Sequence, residues 1–399
     1  MQVDHVTFSS SGGAGLVASN LAKHQRNLGA DARLTSVIKS SLYQEPFSHP
    51  LLTGAAIIDR YVVSKQPEKS LFSLYRNRFG LLKLDDLPQT SLLHLHWVNG
   101  VIGSTDLVKE LETGRGVVWT LHDMAPFTGG CHHAHNCVGY QSKCEECPQS
   151  RTIFRQKIEL AKKNEGPAKH YQNLALVAPT RWMERQVNLS SKFRNAKIVT
   201  IPNPISETFL EAKSKSAARA KLNIEKDTLV FILIAGNLSD PAKNVSATVD
   251  SIRALKGTTG EDPLLLLVGS EGQRFESKDL GIRWLGIVPP SELSGIAAAA
   301  DWVVSSSLAE SAGMTIAECA ALGVPSIVID SGGVSEMLLH GKSGLVAKNH
   351  DEFSRFIRDS LLEKFDREEM GMAAKDFAQT HFHPSTIAQK YLDLYESVF

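Results

Sequence analysis

The sequence predicts an α/β protein of two domains, each a doubly wound parallel sheet. Three observations carry that prediction. At 399 residues, 42% of them hydrophobic, the chain is long enough for two separate cores and long for one. Short apolar runs alternate with helical patterns, as strands joined by crossover helices do. Pro202 and Pro204, close together in IPNPISETF, bar helix and strand alike and mark a linker. The expected division is residues 1–203, residues 204–380, and a closing helix over 381–399 that packs back toward the first domain.

The elements follow in order. Residues 3–8 (VDHVTF) read as a strand, 9–15 (SSSGGAG) as a Gly-rich loop, and the residues up to Gly29 as an amphipathic helix. SLLHLHWV (91–98), GVVWTLHD (116–123), LALVAPT (174–180) and KIVTIPNP (197–204) are apolar runs of the kind that buried parallel strands show. Beyond the linker, TLVFILIAG, PLLLLVGS, IRWLG, DWVVSSS and PSIVID alternate with the helical patterns NVSATVDSIRALKG and SELSGIAAAA. TIAQKYLDLYESV reads as one more amphipathic helix.

Charge narrows the function. Lys plus Arg and Asp plus Glu each total 43, so no net field draws the protein to nucleic acid or anionic lipid. No apolar run approaches the roughly 20 residues that span a bilayer, and Met1 leads into a strand rather than a charged leader with an apolar stretch. The expectation is a cytoplasmic protein.

The most informative segment runs from Ser307 to Glu336 and parses as loop, helix, Gly323 as helix stop, buried strand and a second Gly-rich loop. One strand-to-helix turn thereby presents Glu310, Gly313, Met314, Thr315 and Glu318. Free N–H groups at a helix start beside Gly313 can receive a phosphate, and Glu318, about one turn inside, can accept from sugar hydroxyls. A glycosidase pair is disfavoured. On a continuous helix the eight steps from Glu310 to Glu318 put the attachment points about 12 Å apart, against roughly 5 to 9.5 Å between the carboxyl groups of glycosidases.

Glu310 and Glu318, with GVPSIVIDSGGVSEMLLHGKSGLV behind them, resemble the signature of family-4 retaining glycosyltransferases. The resemblance implies the GT-B fold, two Rossmann-like domains facing across a cleft that holds a nucleotide-diphosphate sugar. It implies Glu310 as a catalytic residue near the transferred sugar and Glu318 on the ribose. Val288 and the backbone of Gly313, Met314 and Thr315 join the donor-binding set. In AGNLSDPAKNV (235–245), Lys243 at a helix start opposes the helix dipole unless an anion is near. An exposed lysine and a phosphate ligand both fit that position, and the resemblance implies the phosphate ligand, with a catalytic role. The family pairs such a lysine with an arginine where this chain carries Asn237, which leaves one diphosphate charge uncompensated unless another basic residue fills the gap.

In the first domain, Gly12, Gly13 and Ala14 resemble the family's glycine loop, whose backbone approaches the donor phosphates. His122 and Asp123 end an apolar strand at the carboxyl edge, where ligands of open α/β sheets bind. The resemblance implies that His122 contacts the donor sugar and acts in catalysis. His96, in LHLHWVNG, carries a weaker version of the same argument on the acceptor side.

Cys131, Cys137, Cys144 and Cys147 crowd into GGCHHAHNCVGYQSKCEECPQ, with His132, His133 and His135 among them. Four soft donors suit a tetrahedral structural zinc site, and an iron–sulfur cluster, two disulfides or reduced packing cysteines remain open. Cys319 reads as a buried apolar residue. With HWVNG and TLHDMAPFTGGCHH, the cysteine stretch resembles a subset of bacterial exopolysaccharide, colanic-acid and lipopolysaccharide transferases. LFSLYRNRFGLLKL (71–84) mixes apolar residues with Arg76, Arg78 and Lys83 and suits either a packed segment or a peripheral contact with the inner membrane face.

Taken with the resemblance, the expected function is a retaining, hexosyltransferase-type transfer from a nucleotide-diphosphate sugar to a saccharide acceptor, lipid-linked, in bacterial surface or exopolysaccharide synthesis. No cofactor is needed for catalysis and no nucleic acid is a partner. A same-fold sugar-nucleotide epimerase or phosphorylase, and a non-catalytic metal-stapled binding protein, are the alternatives.

Overall fold

A computed structural model describes residues 1–38, 72–73, 82, 84–151, 153, 172–193, 196–258 and 262–398. The basic apolar stretch 71–84 thus falls almost wholly outside the described residues, Arg76, Arg78 and Lys83 included. The first elements are β1 (Gln2–Ser9), α1 (Gly12–Asn27), β2 (Asp31–Ile38), β3 (Leu92–Leu95), α2 (Ser104–Glu112), β4 (Val117–Thr120), β5 (Leu174–Ala178), α3 (Arg181–Leu189) and β6 (Lys197–Thr200). There follow α4 (Lys215–Lys221), β7 (Val230–Asn237), α5 (Val245–Arg253), β8 (Leu264–Ser270), β9 (Ile282–Trp284), α6 (Pro290–Ala297), β10 (Trp302–Ser305) and α7 (Met314–Ala321). The chain closes with β11 (Ser326–Ile329), β12 (Gly344–Ala347), α8 (His350–Leu361), α9 (Arg367–His381) and α10 (Pro384–Glu396).

Two compact units result. The first is Met1–Pro204 together with Pro384–Phe399, and the second is Ile205–His383. Each holds a six-stranded sheet, ordered β2-β1-β3-β4-β5-β6 in the first and β12-β11-β10-β7-β8-β9 in the second. All strand pairs within both sheets are parallel. Both sheets are doubly wound, and the strand order reverses between β1 and β3 in one and between β7 and β10 in the other.

In the first unit, alternate residues of β3 and β4 point to opposite faces. Leu93, Leu95, Val117 and Trp119 join the core that also holds Phe193 and the cysteine region. Leu92 and Val118 join the other, with Leu21 and Ala22 of α1 and Ile387, Tyr391 and Tyr395 of α10. Helix α1 buries Val17, Ala18, Leu21, Ala22 and Gln25, the three-to-four spacing of a single helical face. It stops where Gly29 takes φ +92 and donates to the Arg26 carbonyl at 3.0 Å.

The runs read as strands are strands, most of them shorter than their apolar stretches, and β2, β12, α2, α3, α4, α8 and α9 were not named from the sequence. In β2 the exposed Asp31 and Arg33 interrupt the apolar pattern, and β12 is only four residues long. The glycines read as a loop over 9–15 already belong to the first turn of α1. Gly15 makes this possible, since a Cβ there would sit 2.3 Å from the Ser9 carbonyl oxygen.

The second unit is tied together at Asp301, which is buried just before β10. Its carboxylate accepts from Lys215 at 2.6 Å and Arg219 at 2.7 Å, lies 3.4 Å from Arg367, and takes the Val230 N–H at 2.7 Å. Helices α4 and α9 are thereby fixed to the start of the central strand β7. Removing one partner of a buried ion pair leaves the other charge desolvated, typically at about 3 kcal/mol or more. Asp301→Ala is therefore expected to lower stability by about 3 kcal/mol, read as a reduced urea midpoint at unchanged slope.

Candidate functional site

At the reversal between β7 and β10, the loops leaving the two strands meet. After β7 the chain turns through Pro241–Lys243, capped by the Asp240 carboxylate, which accepts from the Ala242 N–H at 2.9 Å. Asn244 (φ +49) then turns the chain into α5. The Leu308 N–H donates to the Ala242 carbonyl at 2.7 Å and joins this loop to the one after β10. Across that joint, Lys243 Nζ donates to Glu310 Oε1 at 2.6 Å. The pair is half-open, with side-chain exposures of 28% and 18%, so it can be reached by a ligand. The carboxylate offsets the charge that Lys243 would otherwise set against the start of α5.

Glu310 is held from behind by the SGG loop that follows β11. Its carbonyl accepts from the Gly333 N–H at 2.8 Å. Gly332 (φ +71) passes so close that a Cβ there would stand 2.1 Å from that same carbonyl oxygen. Helix α7 begins at Gly313, whose φ of +72 and whose approach to Val334 exclude a side chain. No side chain caps the helix and no acid stands in its first turn, so the N–H groups near Met314 and Thr315 form an anion-accepting terminus.

Glu318 lies on the second turn of α7, half-buried, and bonds to neither Lys243 nor Glu310 among the described residues. Burial pushes its carboxyl up to about 7, although the Ser206 N–H stabilises the charged form. Asn237, at the end of β7, donates to Glu271 at 3.3 Å and accepts from the Ser239 N–H at 2.7 Å. The position where the resemblance implies an arginine thus faces a carboxylate. Val288 is half-buried between β9 and α6, packed on the core.

In the first unit, Gly12 and Gly13 have open space where a Cβ would stand, and Ala14 is half-buried beside them. His122 follows β4 at the carboxyl edge of the sheet. Burial lowers its imidazole to about 4, so it is neutral at physiological pH. Asp123 is pinned by Trp97 Nε1–H at 2.7 Å, His132 Nδ1 at 2.7 Å and the Ala125 N–H at 2.8 Å. Its burial favours the protonated form, but these partners hold the carboxyl below its ordinary range. His96 does not face a ligand: it is buried, and both its ring nitrogens bond to other histidines. The sequence reading missed Trp97 and the Gly332–Gly333 lock. For the latter the signal was present, since paired glycines after a buried strand mark a close backbone approach.

Cys131, Cys137, Cys144 and Cys147 all line one small cavity, with Phe72, Ala134 and Tyr140 among its walls. None of them forms a disulfide. The Gly139 N–H donates to Cys137 Sγ at 3.4 Å. Four soft donors around one apolar-walled cavity fit a tetrahedral ion chemically. Their sulfurs are not drawn to within 4.8 Å of one another; among the described residues that spacing is met only by His5, His94 and His96. Cys319 is buried in the core of the second unit. Among the described residues no helix is long and apolar enough to cross a membrane.

Comparison with known proteins bears on this arrangement. Residues 214–377 match the family model of glycosyl transferases group 1. The D-inositol 3-phosphate glycosyltransferase of Corynebacterium jeikeium (strain K411) is 32% identical over 139 residues, 33% of this chain and 33% of its own. The putative colanic acid biosynthesis glycosyl transferase WcaC of Escherichia coli (strain K12) is 33% identical over 72 residues, 18% of each chain. The chain thus spans a third or less of the length of these two curated relatives. The Anabaena Alr3699/HepE structure in complex with UDP and glucose superposes with a TM-score of 0.65 at 18% identity, covering 100% of both chains. The protein therefore has the GT-B fold of two Rossmann-like domains, and its residues 214–377 are similar to the model of glycosyl transferases group 1.

Proposed function

We propose that the protein is a family-4 retaining glycosyltransferase that moves a sugar from a nucleotide-diphosphate sugar to a saccharide acceptor. The acceptor is lipid-linked, and the setting is bacterial surface or exopolysaccharide synthesis at the inner face of the membrane. The observation that carries this reading is Lys243 on Glu310 at 2.6 Å, beside an uncapped helix start at a strand-order reversal. A cation, a carboxylate and free N–H groups converge there, as a diphosphate joined to a sugar requires.

In this reading the diphosphate takes the first-turn N–H groups of α7 and the ammonium of Lys243, which leaves Glu310 for the sugar. Glu318 accepts from the ribose hydroxyls, and His122 takes a hydroxyl of the transferred sugar. The bond from the anomeric carbon to the diphosphate oxygen breaks as the bond to the acceptor oxygen forms on the same face. The departing oxygen takes the acceptor's proton. No protein nucleophile enters, so positioning and charge stabilisation supply the catalysis.

We also propose that Cys131, Cys137, Cys144 and Cys147 hold a structural zinc ion. The support is the single cavity that all four line. Protein purified without chelator is expected to contain one zinc per chain by elemental analysis, and Cys144→Ser to lose it. Finding neither zinc nor iron removes the site, and finding iron reassigns it.

Three outcomes, one kinetic and two of binding, test the transferase. Lys243→Ala is expected to lower kcat at least a hundredfold with a nucleotide-diphosphate sugar, the usual cost of losing one preorganised donor on developing charge. Glu318→Ala is expected to weaken nucleotide-diphosphate binding about tenfold or more in calorimetry, the worth of hydrogen bonds to a charged group. The sign with pH follows from Glu318. Its carboxyl lies near 7 in the free protein, so the accepting carboxylate is the minority form below that pH. Affinity for a nucleotide-diphosphate sugar, which has no terminal phosphate to titrate in this range, should therefore rise from pH 6 to pH 8 in wild type and stay flat in Glu318→Ala. Unchanged kinetics in both variants would count decisively against the reading.

A further inference from the structure

The first unit contains a continuous chain of buried polar side chains that ends at His122. His122 Nε2 meets His96 Nδ1 at 3.1 Å, and His96 Nε2 meets His5 Nδ1 at 3.0 Å. His5 Nε2 meets Gln25 Oε1 at 2.8 Å, and Gln25 Nε2 donates to Tyr395 Oη at 2.9 Å. Tyr395 Oη meets His94 Nδ1 at 2.6 Å, His94 Nε2 meets Thr120 Oγ1 at 2.8 Å, and Thr120 Oγ1 meets Tyr391 Oη at 2.8 Å. Parallel register builds it, because His5 of β1 lies opposite His94 of β3 and the alternation of β3 brings His96 to the same face.

His5, His94 and His96 offer nitrogens close enough for a metal ion. All six of their ring nitrogens are already spent in these hydrogen bonds. The cluster is a relay rather than a ligand set.

Hydrogen-bond bookkeeping gives the relay a direction. The four histidines are neutral: burial lowers His5 and His122 to about 4 and His94 and His96 well below their ordinary value. A neutral imidazole has one donor and one acceptor nitrogen. The Gln25 carbonyl oxygen only accepts, so His5 carries its proton on Nε2 and accepts at Nδ1. His96 must then donate from Nε2 and accept at Nδ1, and His122 must donate from Nε2. Beyond Gln25 the same polarity continues: Tyr395 donates to His94, which donates from Nε2 to Thr120, which donates to Tyr391. Every contact is satisfied, and every histidine holds the Nε2–H tautomer that imidazole side chains intrinsically favour. The opposite polarity would put all four in the disfavoured form.

We infer that this relay presets His122 as the Nε2–H tautomer, so that its Nδ1 is a bare lone pair that accepts a hydrogen bond from a ligand hydroxyl. Nδ1 has no protein partner among the described residues, and it is not among the atoms buried without one. Gln25, Tyr395, His5 and His96 are positioning residues, acting on a ligand only through His122. That the hydroxyl belongs to a sugar rests on the transferase reading; the tautomer does not.

The test is the tautomer itself. Full-length protein labelled with 15N-histidine is examined near neutral pH by long-range 1H–15N correlation, with the His122 signals identified by their loss in His122→Asn. Wild type is expected to show His122 protonated on Nε2 and bare on Nδ1. Tyr395→Phe leaves the Gln25 amide without its acceptor, and Gln25→Met removes the amide; in each, His122 should become a mixture of tautomers while the amide spectrum stays that of a folded protein. A proton on Nδ1 in wild type overturns the proposal, as does an unchanged His122 in both folded variants. The measurement needs neither donor nor turnover, so it can fail while the transferase stands, and stand if the transferase fails.

Discussion

The site in the second unit depends on one contact, the ion pair between Lys243 and Glu310. It exists because a parallel sheet that reverses its strand order between β7 and β10 delivers two loops to one edge with nothing between them. The pair is too exposed to matter much for stability, since half-open ion pairs contribute about 1 kcal/mol or less. Its weight is geometric. Gly332 and Gly333 grip the backbone of Glu310, Gly313 starts α7 beside it, and the Leu308 N–H ties its loop to the lysine's own. Backbone hydrogen bonds and glycine clearances thus aim the charges, so the charges remain free to exchange partners.

The first unit solves the opposite problem. Its chemistry is buried, and burial demands that each polar atom be paired. Arg115 shows the rule away from any site, buried with Glu110 at 3.2 Å and the Ser91 carbonyl at 2.8 Å. Around His122 the same rule produces a network in which each donor fixes the next. Asp123 next door is restrained independently by Trp97 and His132. A flexible edge loop would hold neither orientation.

Much of this was legible in the sequence because parallel strands buried on both faces announce themselves as apolar runs, and helix starts and stops carry glycine and proline. Glu310, Gly313 and Glu318 were legible because they share one strand-to-helix turn, where spacing fixes geometry. Lys243 beside Glu310 was not, since 67 residues separate them and only the sheet order brings them together. His5, Gln25 and Tyr395 were invisible for the same reason: a lone polar residue on the apolar face of a strand or helix reads as ordinary until its partner, up to 370 residues away, is placed. Strand β2 was missed because the exposed Asp31 and Arg33 dilute its pattern, and β12 because it is only four residues long. His96 was read as a weaker, acceptor-side candidate, whereas it lies buried one residue past β3 with both ring nitrogens on other histidines.

The first unit is discontinuous, since Pro384–Phe399 belongs with Met1–Pro204 and the second unit is inserted between them. During synthesis the second unit is therefore whole before the first can close. Until residues past 384 leave the ribosome, the apolar face shared by Leu92, Val118 and Leu21 lacks its cover, and Gln25, His94 and Thr120 lack Tyr395 and Tyr391. A nascent chain of this design must carry an open, half-solvated sheet from the end of β6 until α10 emerges, the interval when aggregation and chaperone capture compete with folding.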